Sequence, residues 1–283
     1  MIPNFIPPFE DGCGVVAGVD IDRYHRQPDV SKSQLDTLDL SPAIFYARHR
    51  DPNRPEPVTK AGQLEGNLAH CAVLEPDEFE SRYVVGPSVN RNTKVWKEFV
   101  EANPNRIAIQ SDQYEAAIRQ AVSVRALPEI GEALANGTAE VSAFWIDEET
   151  GVKCRCRPDF VHPVRDNAVL LLDVKTFSSA APSEFRRQVA RKRYDVQAAF
   201  YTDGYEKASG MEVLGFIFLA IETEYPFAAN AFMLDDDSLE AGRQKYRKNL
   251  RTYAECERTN TWPGYSTGID IIRLPQWALI TEE

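Results

Sequence analysis

The stretch CRCRPDFV (residues 154–161), followed six residues later by AVLLLDVKTF (168–177), decides how this chain is read. The second segment is a nearly continuous apolar run, the pattern of a short strand buried on both faces. Two charges, Asp173 and Lys175, interrupt its middle. An Asp-x-Lys pair on a strand is usually a surface ion pair. Unpaired buried charge is expensive, however, and two such groups inside a buried strand point to a functional pocket. Residues i and i+2 of a strand share a face, so Asp173 and Lys175 point one way and Val174 points into the core on the other.

If 152–161 and 168–177 are antiparallel neighbours, Asp159 comes alongside Asp173, and the two carboxylates can converge on one hard cation, Mg²⁺ or Mn²⁺. Hydrolysis of a phosphodiester needs a water made nucleophilic near neutral pH and a counter-charge for the phosphorane oxygens. Carboxylates holding hard cations meet both needs. Lys175 is then placed to reach the attacking water or the scissile phosphate.

Upstream, VSAFWID, the turn EETG and VKCRCRPDFV read as a β-hairpin. Glu140 begins that first strand after a glycine turn and is a candidate third carboxylate, as ligand or water-orienting group; an exposed strand-start glutamate is the bland alternative. Downstream, 183–208 reads as one long amphipathic helix, 213–222 as another buried strand, 230–235 as its neighbour, and 237–257 as a closing helix with Leu239, Tyr246, Leu250 and Tyr253 in a stripe. Before the hairpin, helical patterns cover 92–102 and 111–126, the latter with Tyr114, Ile118, Val122 and Arg125 along one side. A further helix is expected over 59–74, after a proline-rich loop at 51–58. The segment SKSQLDTLDLSPAIFYARH (31–49) opens with a capping serine and is interrupted at Pro42. Helices, a strand cluster, then a helix and more strands predict one α/β domain with a mixed sheet over residues 30–283, preceded by an arm or irregular lead-in, 1–29.

Two further features bear on function. Gly62, Gly66 and His70 recur every four residues, so a helix aligns them on one face, the glycines permitting close approach of another element or of a DNA backbone. A neutral imidazole there suits a metal ligand or a phosphate contact, although a lone helical histidine is usually structural. The helix after the lysine strand carries Arg186, Arg187, Arg191, Lys192 and Arg193 in its first half. These form either a solvated face or a phosphate-contacting patch beside the site. Gln197 and Tyr201, one turn apart, face inward together and can hydrogen-bond substrate or Lys175.

Bulk composition limits the alternatives. The formal net charge of −11 argues against a protein that coats nucleic acid over its whole surface, but a nuclease needs only a local basic path beside an acidic pocket. The longest apolar stretch, 213–221, is about half of the ~20 residues that span a bilayer, and the first residues lack a basic signal-peptide region, so no membrane association and a cytoplasmic location are expected. The five cysteines are odd in number and scattered, which predicts reduced thiols; Cys154-x-Cys156 has no partner pair for a zinc site.

Taken in order, these segments resemble the PD-(D/E)XK nuclease superfamily, and within it the nuclease domain of exonuclease VIII and related phage recombination exonucleases, over roughly residues 30 to 270. SKSQLDTLDLSPAIFYARH is similar to that family's opening segment, GNLAHCAVLEPDEFESRYVV to its Gly-x-x-x-His motif, and CRCRPDFV, LLDVKTF and QAAFYTDGY to its catalytic core. TWPGYS (261–266) is similar to its C-terminal signature. The resemblance implies a restriction-endonuclease-like core, with His70, Asp159 and Asp173 binding metal, Lys175 catalytic, and Gln197 and Tyr201 supporting. It further implies Mg²⁺-dependent digestion of linear double-stranded DNA from its ends, 5′ to 3′, in concert with a single-strand annealing protein, and a ring-shaped homo-oligomer. Only Cys256 follows residue 156, so the iron–sulfur cluster of some relatives is not expected. The length matches only the nuclease module of exonuclease VIII, which implies a stand-alone phage or prophage form. A structure-selective or single-strand endonuclease on the same core, and a catalytically silent DNA-binding protein, are the alternatives.

Overall fold

The computed structural model of the protein describes residues 12–55, 62–266 and 268–279. In chain order its first half comprises β1 (Gly14–Val16), α1 (Ile21–His25), β2 (Val30–Ser31), α2 (Lys32–Leu35), α3 (Pro42–His49), α4 (Gln63–Leu74), α5 (Phe79–Arg82), β3 (Tyr83–Val85), α6 (Lys94–Ala102), β4 (Ile107–Ile109), α7 (Ser111–Arg125) and α8 (Ile130–Ala135). The second half comprises β5 (Thr138–Ala139), β6 (Ser142–Ile146), β7 (Lys153–Cys156), β8 (Phe160–Arg165), β9 (Ala168–Phe177), α9 (Pro182–Lys192), α10 (Tyr194–Ser209), β10 (Glu212–Glu222), β11 (Ala229–Phe232) and α11 (Asp236–Thr259). The fold is mixed α/β, with helices flanking mixed sheets.

The central sheet has the order β11-β10-β9-β8-β5, with β9 parallel to β10 and antiparallel to β8. A second sheet, β1-β6-β7-β2, packs beside it, and β3 and β4 form a separate parallel pair. Strand β9 is buried on both faces, as its composition requires. Val169 and Leu171 enter the core shared with α10, α11 and the second sheet, while Leu172 and Val174 enter the core under α4 and α7. The alternation puts Asp173 and Lys175 on the α10 side.

Several expectations need correction. Residues 152–161 are not one strand: β7 pairs with β6, β8 pairs with β9, and 157–159 carries the chain from one sheet to the other. Pro158 has no N–H for a ladder, which ends β7 there. The helix expected over 183–208 is two, α9 and α10, broken at Arg193, whose backbone is left-handed (φ 56°, ψ 47°). A non-glycine residue in that region costs about 1–2 kcal/mol. The offset is electrostatic, because the Arg193 side chain is ion-paired with both Asp36 and Asp39. On α7 the buried residues include Ala117, Ala121 and Val124, small enough to pack against α4, whereas Ile118 and Val122 are exposed. Residues 1–11 and the expected helix start at 59–61 lie outside the described residues. From Gly14 onward the expected lead-in is ordered structure: β1 pairs antiparallel with β6, and Val16, Val19 and Tyr24 are buried.

The Phe45 end of the opening motif meets the closing motif. Trp262 stacks on Phe45 at 5.4 Å between ring centroids, Tyr253 flanks both rings, and the Ala43 amide donates to the Pro263 carbonyl at 3.0 Å. These segments form a latch closing α3 onto the end of α11.

Candidate metal centre

Asp159 begins β8. Phe160 lies opposite Leu172, so the same register sets Asp159 level with Asp173. Asp159 Oδ2 accepts from the Val174 amide at 2.7 Å and lies 2.8 Å from His70 Nε2. Glu140 stands in the kink between β5 and β6 rather than within a strand, with φ at 55°, and its amide donates to the Asp159 carbonyl at 2.8 Å. Its carboxylate faces His70 Nδ1 at 3.7 Å and is ion-paired with Arg157. Donor atoms of His70, Glu140 and Asp159 all lie within 4.8 Å of one another, one atom from each residue.

Asp173 is 1% exposed and lies outside that trio. Lys175 contacts its Oδ2, and Gln197 Nε2 donates to its Oδ1 at 2.5 Å. Gln197 therefore orients the aspartate, not the lysine. The Lys175 ammonium also lies 5.4 Å from the Tyr194 ring centroid, a cation–π contact formed because the α9–α10 break swings Tyr194 over the strand. Tyr201 reaches the same cavity as His70 and Asp159, and its phenol is pushed well up by burial, with nearby acidic groups adding to the effect.

The electrostatics follow from crowding opposite charges in a dry place. Burial works against charge on His70, but Asp159 and Glu140 outweigh it and raise its pKa to about 10. Burial disfavours the Asp159 carboxylate too, yet His70 and Lys175 hold it below its ordinary value. Asp173 is raised by burial and by Asp159, against the pull of Lys175. Burial alone would lower Lys175; Asp173 and Asp159 reverse that and raise it. A divalent cation would replace the positive charge that His70 supplies to the carboxylates. Two carboxylates and one imidazole within reach of a common point are a suitable donor set for Mn²⁺ or Mg²⁺.

A cavity of about 740 Å³ opens over this cluster, walled by 18–25, Ser31 and Ser33, the His70 face of α4, Arg82, Arg157 and Tyr201. The basic residues 186–193 do not line it. Arg186, Arg191 and Lys192 are exposed, Arg187 pairs with Glu184, and Arg193 is committed to Asp36 and Asp39. Among the described residues, none packs closely on the two glycines at the start of α4. Gly62 is the left-handed N-cap (φ 78°), and a Cβ on Gly66 would meet only Thr176 Oγ1 of the described residues, at 3.9 Å. Sequence reasoning missed Tyr194 and the part played by Arg157. Nothing in the local pattern turns Tyr194 toward Lys175, because that depends on the break at Arg193, and nothing in the motif around Arg157 marks its partners.

Residues 31–275 match the family described as PDDEXK-like domain of unknown function (DUF3799), and the chain belongs to that family. No curated protein matches the sequence. Among solved structures, a crystal structure described as "Putative exonuclease" from Eubacterium rectale is similar, with a TM-score of 0.59 at 12% identity. The match covers 91% of this chain and 95% of that one. At that identity the likeness shows the fold. The crystal structure of SSO0001 overlaps 49% of this chain and 67% of its own at 16% identity, with a TM-score of 0.27.

Proposed function

We propose that this member of the PDDEXK-like family is a Mg²⁺-dependent exodeoxyribonuclease, with Mn²⁺ able to substitute, that hydrolyses linear double-stranded DNA from its ends. The observation that carries the reading is the meeting of His70, Glu140 and Asp159 within 4.8 Å in the wall of an open cavity, with the ion pair between buried Asp173 and part-buried Lys175 behind Asp159. A cation held by that trio supplies Lewis-acid polarisation of the phosphate and neutralises its developing negative charge.

The chain's own groups account for the rest. Lys175, held charged by Asp173 and Asp159, offers a fixed ammonium to a phosphate oxygen or to the attacking water. Asp173 aims that ammonium, and Gln197 aims Asp173. Tyr201 closes the wall of the cavity, and its phenol stays protonated, able to donate to substrate. The 5′ to 3′ direction, a role in phage-type recombination, a single-strand annealing protein as partner and a ring-shaped oligomer rest on the sequence resemblance and belong to the same proposal.

The test is digestion of end-labelled linear duplex and of a covalently closed circle, with Mg²⁺ or with EDTA, by wild type and Asp159→Asn. Mg²⁺-dependent loss of the linear duplex alone, absent in the variant, is the expected result. Cleavage of the closed circle would replace the exonuclease reading with an endonuclease. Inertness toward both, with DNA still bound, would leave a silent binding protein.

A further inference from the structure

Arg155 on strand β7 and Arg157 just past its end form an i, i+2 pair, and neither is spent on a surface contact. Arg155 is among the largest fully buried side chains of the described residues, and none of their carboxylates forms an ion pair with it. Its guanidinium donates to the backbone carbonyls of His25 and Gln27 and lies 4.9 Å from the Tyr24 ring centroid. Arg157 lies 5.6 Å from the same centroid and donates to the Val19 carbonyl at 2.8 Å. Its other arm is on Glu140 Oε2, and the side chain is 11% exposed. The segment 19–27 is thus fastened to the sheet by three of its carbonyls, and Arg157 alone among its fasteners also grips a member of the proposed cation trio.

Glu140 needs such a grip. Its backbone occupies the left-handed region, and a glutamate has three side-chain torsions to immobilise before its carboxylate can serve as a ligand. Arg157 takes Oε2 and leaves Oε1 turned toward His70. We infer that Arg157 is a positioning residue of the cation site, presetting the Glu140 carboxylate and tying it to the wall formed by 19–27. This rests on the reading of His70, Glu140 and Asp159 as cation ligands. Residues that orient ligands commonly change metal affinity by about 10–100-fold when removed.

Charge alone predicts the opposite sign. A guanidinium beside a divalent cation repels it, so if Arg157 acted only through its charge, Arg157→Gln would bind Mn²⁺ more tightly. Positioning predicts weaker binding.

The experiment is titration of Mn²⁺ alone into the full chain, by calorimetry and by the paramagnetic resonance of free Mn²⁺, for wild type, Arg157→Gln, Arg157→Lys, Glu140→Gln and the Arg157→Gln/Glu140→Gln double variant. The expected result is a loss of about tenfold or more in Arg157→Gln and a smaller loss in Arg157→Lys, which keeps the charge but not the two-armed hold. The double variant should bind no more weakly than Glu140→Gln, because the arginine acts through the glutamate. If Arg157→Gln does not fold, Arg157→Lys carries the comparison, with affinity between wild type and Glu140→Gln expected. Affinity within twofold of wild type in the folded arginine variants, tighter binding, or losses that multiply in the double variant would overturn the inference. No Mn²⁺ binding by wild type would remove the cation site itself, a failure of the underlying reading and distinct from these.

Discussion

Helices α10 and α11 cross so closely that one position cannot carry a side chain. A Cβ built on Gly242 would lie 2.2 Å from the Asp195 carbonyl oxygen and 2.4 Å from its carbon, both backbone atoms of α10 that cannot rotate aside. Ordinary contact begins near 3.4 Å, so Gly242→Ala must separate the helices by about 1 Å. Overpacking of this kind costs about 1–3 kcal/mol, and a rigid backbone neighbour puts this case at the upper end. Alanine's better helix propensity returns about 1 kcal/mol. The net loss is about 2 kcal/mol, a fall in Tm of roughly 3–4 °C for a chain of this size. Gln197 follows Asp195 by two residues and holds Asp173 at 2.5 Å, so the same shift should loosen that contact and lower DNA cleavage. The assay is thermal unfolding with cleavage rates, using Gly66→Ala as the comparison, since its Cβ meets nothing closer than 3.9 Å and should stabilise the helix. A Gly242→Ala protein as stable as wild type would refute the packing argument; a lower Tm with unchanged cleavage would refute only the link to Gln197.

Lys175→Met should lose at least about 100-fold in cleavage rate, the usual scale for one electrostatic stabiliser, while Mn²⁺ affinity measured by calorimetry stays within a few-fold of wild type. Because one of the three proposed ligands is an imidazole, Mn²⁺ should support cleavage at lower concentration than Mg²⁺, which suits all-oxygen sites; equal half-saturation by the two ions would count against His70 as a ligand. His49 is depressed from 6.5 to about 4 by burial and by Arg48, Arg50 and Arg54. The unfolded chain therefore takes up this proton before the native one does. Its contribution to stability is flat above pH 6.5 and is lost as pH falls from 6.5 toward 4. Subtracting the urea-unfolding curve of His49→Gln from that of wild type should isolate this slope, and parallel curves over the window would dismiss it. Trp262→Ala, which opens the latch onto Phe45, should destabilise by about 2–3 kcal/mol, less than a fully buried tryptophan, with the decrease read from the urea midpoint.

Much of the site was legible from local pattern. A strand as apolar as 168–177 must be buried on both faces, and the twofold repeat of a strand puts Asp173 and Lys175 together whatever surrounds them. That Pro-Asp should come alongside needed only an antiparallel neighbour, and β8 is one. Gln197 and Tyr201 were expected to point inward, and both do, but which group Gln197 would hold was a question of helix placement. Composition records charge and not direction, so the place of the basic run at 186–193 could not be read from it: four of those five cations are exposed outside the described cavity, and Arg193 is bound to Asp36 and Asp39.

Sequence by itself determined the buried charged strand, the aspartate–lysine pair on one face of it and the mixed α/β class, because these depend on periodicity and on the cost of burying charge. Only the tertiary structure decided that Glu140 joins His70 and Asp159 within 4.8 Å, that a helix break brings Tyr194 over Lys175, and that Arg157 links Glu140 to residues 19–27. Each of these contacts depends on how separate elements are placed against one another: α4 against β8, the α9–α10 break against β9, the end of β7 against the N-terminal wall. That placement is set by packing and ion pairing across the whole domain, and no local pattern carries it.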